Sequence, residues 1–485
     1  MLSRTEYSGN QTLDLPRGKR FHGWVSLVIT AMSLSTAAVH GAPLPEQHTV
    51  AITNVTVVDV ATGRLSGLRT VIADSGRIVS NVPSHDAHIP VQAVRVDGRG
   101  RFLIPGLVDM HVHFFNLSSH RPPNDWSFPL YIANGVTAVR EMRGDATSMV
   151  LVSRWRKAFD AGEFAVPRIL ATGIAVDGKS AQDAALQVNA AADAGADFIK
   201  VFSEVPTTHW RAILAAAKAR ALPVAGHVPA GVTLLDAAAA GQRTSEHLMQ
   251  AYEACSSIET QLLDERINLQ GDALVERRDA QEARVLAAFD RGTCGRVAKT
   301  LAATGQAQVP TLVLANEDSL DSTSMNADSR WRYLRADERA RWQNFLAGYT
   351  AQDAALAQQR WPIARRIVAA MRDAGVPIMT GTDAPMPGVY PGFSLHEEMA
   401  MLVESGLTPR EALRSATLAP AEFLHIAATT GSVAVGKRAD LVLLDADPTK
   451  DIHNTRRINA VLVDGRLLRR ADLDALLNEA AIGQR

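Results

Sequence analysis

A chain of 485 residues, 47% hydrophobic and 21% charged, has enough apolar material for a large core and reads as globular, with room for one big domain and a smaller appendage. Lys and Arg number 50 against 51 Asp and Glu, a formal net charge of -1. With no basic stripe along any predicted helix, that balance argues against nucleic acid and anionic membrane surfaces as partners.

At the amino end, Arg17, Lys19 and Arg20 precede an apolar run over 24–39, followed by Val39-His40-Gly41-Ala42. This is the layout of a secretory signal peptide, so 1–41 is expected to be removed near Gly41 and Ala42 and the mature protein to be exported, periplasmic or secreted. The run is shorter than the ~20 residues of a spanning helix and carries Ser26, Thr30, Ser33, Ser35 and Thr36, which makes a retained membrane span the weaker reading.

Short alternating strands follow at 50–60, 69–73, 76–79 and 91–96, and a matching set at 439–444 and 460–463 ends in the turn pair Asp464-Gly465. The two ends, 42–104 and 430–472, are expected to build one small β-sandwich module, with 473–485 a C-terminal tail. Between them, over 105–429, apolar runs alternate with amphipathic stretches such as 181–194, 210–221 and 361–374. The runs at 107–113, 137–142, 168–172, 198–202, 224–228, 244–248, 309–314 and 378–383 predict eight parallel strands, an α/β chain folded as a TIM-type (β/α)8 barrel. The connection at about 249–308 is too long for an ordinary crossover and is predicted to be a lid or substrate-facing insertion. It holds both cysteines, Cys255 and Cys294; a disulfide and two free thiols are equally open from sequence.

His111 and His113 lie two apart, a spacing that points both imidazoles to one face of a strand. Alone, such a pair is weak. Its weight comes from polar residues that close other apolar runs: Lys200, His227, His247 and Asp383. One buried histidine is most often a satisfied core residue, one buried lysine a snorkelling one, and one aspartate a helix cap. Six such residues at five strand ends point instead to a metal site, because catalytic groups collect at the carboxyl end of a barrel.

These residues, with Gly381-Thr382-Asp383 and the stretch from Gly431 to Leu441, resemble the amidohydrolase superfamily and within it the imidazolonepropionase-like and prolidase-like group. The resemblance implies that His111, His113 and Asp383 hold one divalent ion, that His227 and His247 hold a second, and that Lys200, carboxylated by carbon dioxide, bridges them. It further implies a hydrolase in which the ions activate a water and Asp383 serves as ligand and as catalytic acid/base. Zinc suits imidazole and carboxylate best, with manganese, cobalt and iron as alternatives. The expected substrate is a small molecule or short peptide with an amide bond, a dipeptide or N-acyl amino acid; a lactone, carbamate or organophosphate would meet the same site. A non-catalytic binding protein is disfavoured, since all six ligand positions are present. A homo-oligomer is left open.

Three further residues are candidates for substrate contact or for orienting the ligands: His120 in the loop after the first barrel run, Tyr390 in a Tyr-Pro-Gly turn, and His396 at the start of a helix. Packing is the plainer role for His396, and solvation for His120 and its neighbour Arg121. Trp331, Tyr333 and Trp342 are read as a helix face packed on the barrel, with an aromatic wall over the site as the alternative.

Overall fold

The computed structural model describes residues 43–115, 121–315 and 327–482. The expected signal segment 1–41 and His120 lie outside them.

The chain opens with β1 (Val50–Val58), β2 (Leu65–Asp74), β3 (Arg77–Pro83), β4 (Val94–Asp97) and β5 (Phe102–Pro105). Ser75 and Gly76, with φ of 47° and 73°, turn β2 into β3. Positive φ at both central residues gives the turn a twist that suits the flanking strands.

Five parallel strands follow: β6 (Leu107–Val112), β7 (Val136–Gly144), β8 (Arg168–Ala175), β9 (Phe198–Val201) and β10 (Val224–Gly226). They lie side by side in sequence order, with helices such as Ser148–Ala161, Ala181–Asp193 and Thr207–Ala219 as crossovers. Every residue of β6, β9 and β10 is buried, as expected for strands covered on both faces. Next come β11 (Thr244–Glu246) and β12 (Ala307–Val309), parallel to each other.

Two of the predicted runs behave differently. The seventh, expected at 309–314, starts earlier and stops at Val309: Pro310 has no N–H to offer a ladder, Thr311 takes φ of 47°, and Leu312–Ala315 is helical. The eighth, 378–383, makes only isolated bridges, Gln308 with Ile378 and Val112 with Ala384. Its backbone nonetheless bonds to both neighbours, Met379 N donating to Gln308 O at 3.0 Å and Asp383 N to His111 O at 2.7 Å. The result is a curled parallel sheet whose strand ends converge.

The segment expected as an insertion holds the helices Met249–Ala254, Glu259–Asp264, Gly271–Ala280, Glu282–Ala287 and Arg291–Thr304. A disulfide joins Cys255 to Cys294 across it.

The chain returns through β13 (Leu441–Leu444), β14 (Ile458–Val463) and β15 (Arg466–Arg469). β13 pairs antiparallel with β5, so both ends share one eight-stranded sheet in the order β15-β14-β13-β5-β1-β2-β3, with β4 beside β1. Asp464 and Gly465 form the two-residue turn between β14 and β15. Where a tail was expected, Arg470–Ile482 is a helix, held because Leu473, Leu476 and Ala480 are buried on one face. Among the described residues no helix is long and apolar enough to cross a membrane.

Candidate metal centre

The strand ends bring His111, His113, Lys200, His227, His247 and Asp383 to one buried place, His247 being the most exposed at 9%. Local backbone makes this possible. His247 and Asp383 both take positive φ, 65° and 69°, conformations that cost a non-glycine residue energy and that turn the side chains out of their strands. Gly381 and Gly226 allow close approach: a Cβ at Gly381 would sit 2.9 Å from the His111 Cβ, and one at Gly226 2.7 Å from the Lys200 Cδ.

Asp383 Oδ1 lies 2.6 Å from His113 Nε2 and 3.2 Å from His111 Nε2. Ring centroids of His111 and His247 are 4.6 Å apart, and those of His227 and His247 4.9 Å. One ligand atom each from His111, His247 and Asp383 falls within 4.8 Å of the others, so this trio draws on both ligand sets expected from sequence. Lys200 lies near enough for its charge to act on His227, His247 and Glu246.

The outer nitrogens of three imidazoles are taken up elsewhere. His111 Nδ1 is 2.9 Å from Glu246 Oε2, His227 Nδ1 3.1 Å from Ser203 Oγ, and His247 Nδ1 2.7 Å from Thr311 Oγ1. Each contact orients its ring and leaves Nε2 for the interior. Inside, His111 Nε2 and Asp383 Oδ1 are buried with no hydrogen bond in good geometry. Burial presses His113 and His227 well below the ordinary imidazole range and His247 to about 3, so all three are neutral at pH 7 with a lone pair to give. Burial would raise Asp383, but the surrounding imidazoles outweigh it and keep the carboxylate ionised. Imidazoles and a carboxylate converging on one buried point are a donor set that fits a divalent cation.

Several supporting residues carry no sequence motif. Glu246 receives Arg140 Nη2 at 3.0 Å, and Arg140 Nε donates to Met110 O at 2.6 Å, which ties β7, β11 and β6 together beneath the cluster. Asp109 accepts from Thr382 Oγ1 at 2.6 Å and from the amides of Thr382 and His111 at 3.0 and 3.1 Å. It thereby holds the Asp383 loop against β6. The available signal was strand alternation: Asp109, His111 and His113 share one face, and Glu246 stands beside His247.

The other candidates are engaged elsewhere. His396 has Nδ1 2.9 Å from Thr455 Oγ1 and Nε2 3.0 Å from Asn134 O, and burial lowers it to about 4, which marks a packed core histidine. Tyr390 is buried against Trp342, with the Arg330 guanidinium 4.3 Å over its ring. Trp331, Tyr333 and Trp342 join the same cluster and pack with Phe393 and the helix Arg470–Ile482. Arg121 pairs with Asp337 and Glu338.

Residues 102–468 match the family model described as amidohydrolase family. Imidazolonepropionase of Pseudomonas savastanoi pv. phaseolicola (strain 1448A / Race 6) is 42% identical over 84 residues, 17% of this chain and 21% of that protein. Imidazolonepropionase of Shouchella clausii (strain KSM-K16) is 34% identical over 103 residues, 20% of this chain and 23% of that protein. The match thus spans about a fifth of the length of these curated relatives. Among solved structures, bottromycin amidohydrolase aligns with a TM-score of 0.68 and 25% identity over 90% of each chain. A Xaa-Pro dipeptidase with bound methionine in its active site shares the fold, with a TM-score of 0.61 and 19% identity over 87% of this chain and 100% of that one. The chain belongs to the amidohydrolase family.

Proposed function

We propose that this chain is a metal-dependent hydrolase of a carbon–nitrogen bond, acting on an amide in a dipeptide, an N-acyl amino acid or a related small molecule. The observation that carries it is the orientation of the imidazoles: His111, His227 and His247 each engage a polar neighbour through Nδ1 and leave Nε2 to the buried interior that Asp383 shares.

Two divalent ions, zinc first, would be held by His111, His113 and Asp383 on one side and by His227 and His247 on the other, with Lys200 between them. The buried Lys200 amine is taken to add to carbon dioxide, releasing a proton and becoming an anionic carbamate that offers two oxygens. When bound, the ions supply Lewis acidity and lower the pKa of water at the site. The remaining work falls to the chain. Glu246, held by Arg140, fixes the His111 ring, and Asp109 fixes the loop that presents Asp383. Asp383 takes the proton of the attacking water on a carboxylate oxygen and passes it to the departing nitrogen. Burial of the six side chains excludes bulk water, which would otherwise screen these charges.

The same reading includes a closed (β/α)8 barrel over 105–429, supported by backbone bonds from the 377–384 segment to both β12 and β6. It also includes a β-sandwich module from 42–104 and 430–472, supported by the pairing of β5 with β13, and export directed by 1–41.

The test is hydrolysis of a panel of dipeptides and N-acyl amino acids with and without chelator, by wild type and Asp383→Asn. Turnover that chelator abolishes, zinc restores and Asp383→Asn lacks supports the proposal. Turnover unaffected by chelator and by Asp383→Asn refutes it.

A further inference from the structure

A small cleft of about 100 Å3 opens beside His247 and Thr311 and runs along the helices of the 249–308 segment. Met249, Val285, Leu286 and Leu314 give it apolar lining, and several charged groups also face it. Most of those charges are matched. Glu253 is held by Arg266 at 2.5 Å, and Glu282 by Arg360 at 2.6 Å. Arg278 differs. Only 8% exposed, it gives Nε and Nη2 to Asp279 Oδ1 at 3.4 and 3.2 Å, while its buried Nη1 has no hydrogen-bond partner.

A buried guanidinium N–H left unmatched is costly, because water has been removed and nothing has replaced it. The acceptor that matches a guanidinium edge best is a carboxylate, which accepts charge-assisted bonds in the same plane. The cleft also contains His247, so a molecule docked on Arg278 has its other end next to the candidate metal centre.

We infer that Arg278 is the specificity residue of this cleft and selects substrates that carry a free carboxylate beside an apolar side chain. The carboxylate docks on the Arg278 guanidinium, which turns to bring its unmatched N–H into the cleft, and the side chain packs on Leu286 and Leu314. This deepens the hydrolase reading, on which the identity of the cleaved bond rests, and narrows its substrates to the carboxylate-bearing amides: N-acyl derivatives of apolar amino acids and dipeptides ending in one. Uncharged amides, carbamates and phosphate triesters lack the group that Arg278 would bind.

Binding and turnover separate the two claims. The binding probe is 2-isobutyl-4-oxopentanoate, an analogue of N-acetyl-leucine in which a methylene replaces the amide nitrogen, so that no scissile bond is present; its carboxamide is the neutral control. Calorimetric titration of the full-length mature protein is expected to show the acid bound about 10-fold or more tightly than the carboxamide, the range of a charged hydrogen bond. Arg278→Met is expected to erase that preference and Arg278→Lys to keep part of it, with unfolding temperatures recorded for both. Should Arg278→Met fail to fold, the wild-type ratio and Arg278→Lys decide. Equal binding of acid and carboxamide, binding of neither, or a preference untouched by a folded Arg278→Met overturns the inference. An Arg278-dependent preference without turnover of N-acetyl-leucine or any dipeptide leaves the inference standing and sinks the hydrolase reading. Turnover indifferent to the carboxylate does the reverse.

Discussion

Glu246 Oε2 and His111 Nδ1 meet at 2.9 Å with both side chains wholly buried, and the contact turns the other nitrogen of His111 towards Asp383. Glu246 thereby orients the His111 ring, which the proposed function makes a metal ligand. Replacing it with Gln keeps the shape and removes the charge that favours the Nδ1–H form. Metal affinity is expected to fall about 10- to 100-fold, measured by competition with a chromophoric chelator. Unchanged affinity would show that His111 binds without this support.

Arg140 answers the buried charge of Glu246. Burial alone would raise the Glu246 carboxyl, and Arg140 and His111 outweigh it and hold the group well below the usual range. Arg140→Met strands that carboxylate in the interior, a change that costs about 3–5 kcal/mol. The thermal midpoint should drop, and Arg140→Met combined with Glu246→Gln should recover part of the loss. A single variant as stable as wild type would mean that the pair carries no such burden.

Glu398 gives a pH signature. Burial pushes its carboxyl from 4.5 up to about 8, against the bonds it accepts from Val313 N, at 2.9 Å, and Leu312 N, and with the charge of Asp109 adding to the rise. The unfolded chain thus ionises Glu398 at lower pH than the folded one. Its contribution to stability is fully present below about 4.5, falls as pH rises through about 8, and is level above. Glu398→Gln keeps an acceptor for Val313 N and removes the titration. Its unfolding temperature should vary less between pH 5 and 8, at constant ionic strength, and exceed that of wild type by a few degrees at about pH 8.5. Parallel profiles for the two proteins would rule out a raised Glu398.

The Cys255–Cys294 bond closes a loop with a sequence separation of 39 inside the helical segment that lines the cleft. For a loop of that size, the chain-entropy estimate of the lost stabilisation is about 4 kcal/mol. The double Cys→Ser variant should unfold at lower temperature than the oxidised wild type, and reductant should lower wild type but leave the variant unchanged.

The parallel strands and the six polar side chains that meet at their ends were legible because each left a local mark. Apolar runs ending in His, Lys or Asp need only period and position to be read, and β6, β7, β8 and β9 fall where those runs were placed. What lay hidden depends on contacts between distant segments. Glu246 reads as an ordinary acid until Arg140, 106 residues away, and His111, 135 residues away, come to either side of it. The seventh strand was misplaced because the apolar run continues past Pro310, where the backbone cannot. His396 drew attention as a lone histidine on a helix, and Asn134 and Thr455, which satisfy it, come from elsewhere in the chain. Much of the stretch 473–485, expected as a tail, lies in the helix Arg470–Ile482, where Leu473, Leu476 and Ala480 are buried by contacts with distant segments that no local pattern shows.

The most direct measurement is the metal content of the folded mature chain, by elemental analysis after growth in zinc-supplemented medium, with Lys200→Ala alongside. A binuclear site gives about two equivalents in wild type and one or fewer in Lys200→Ala. A folded wild type with no bound metal, or a Lys200→Ala variant that keeps the full wild-type complement, would contradict the site described here.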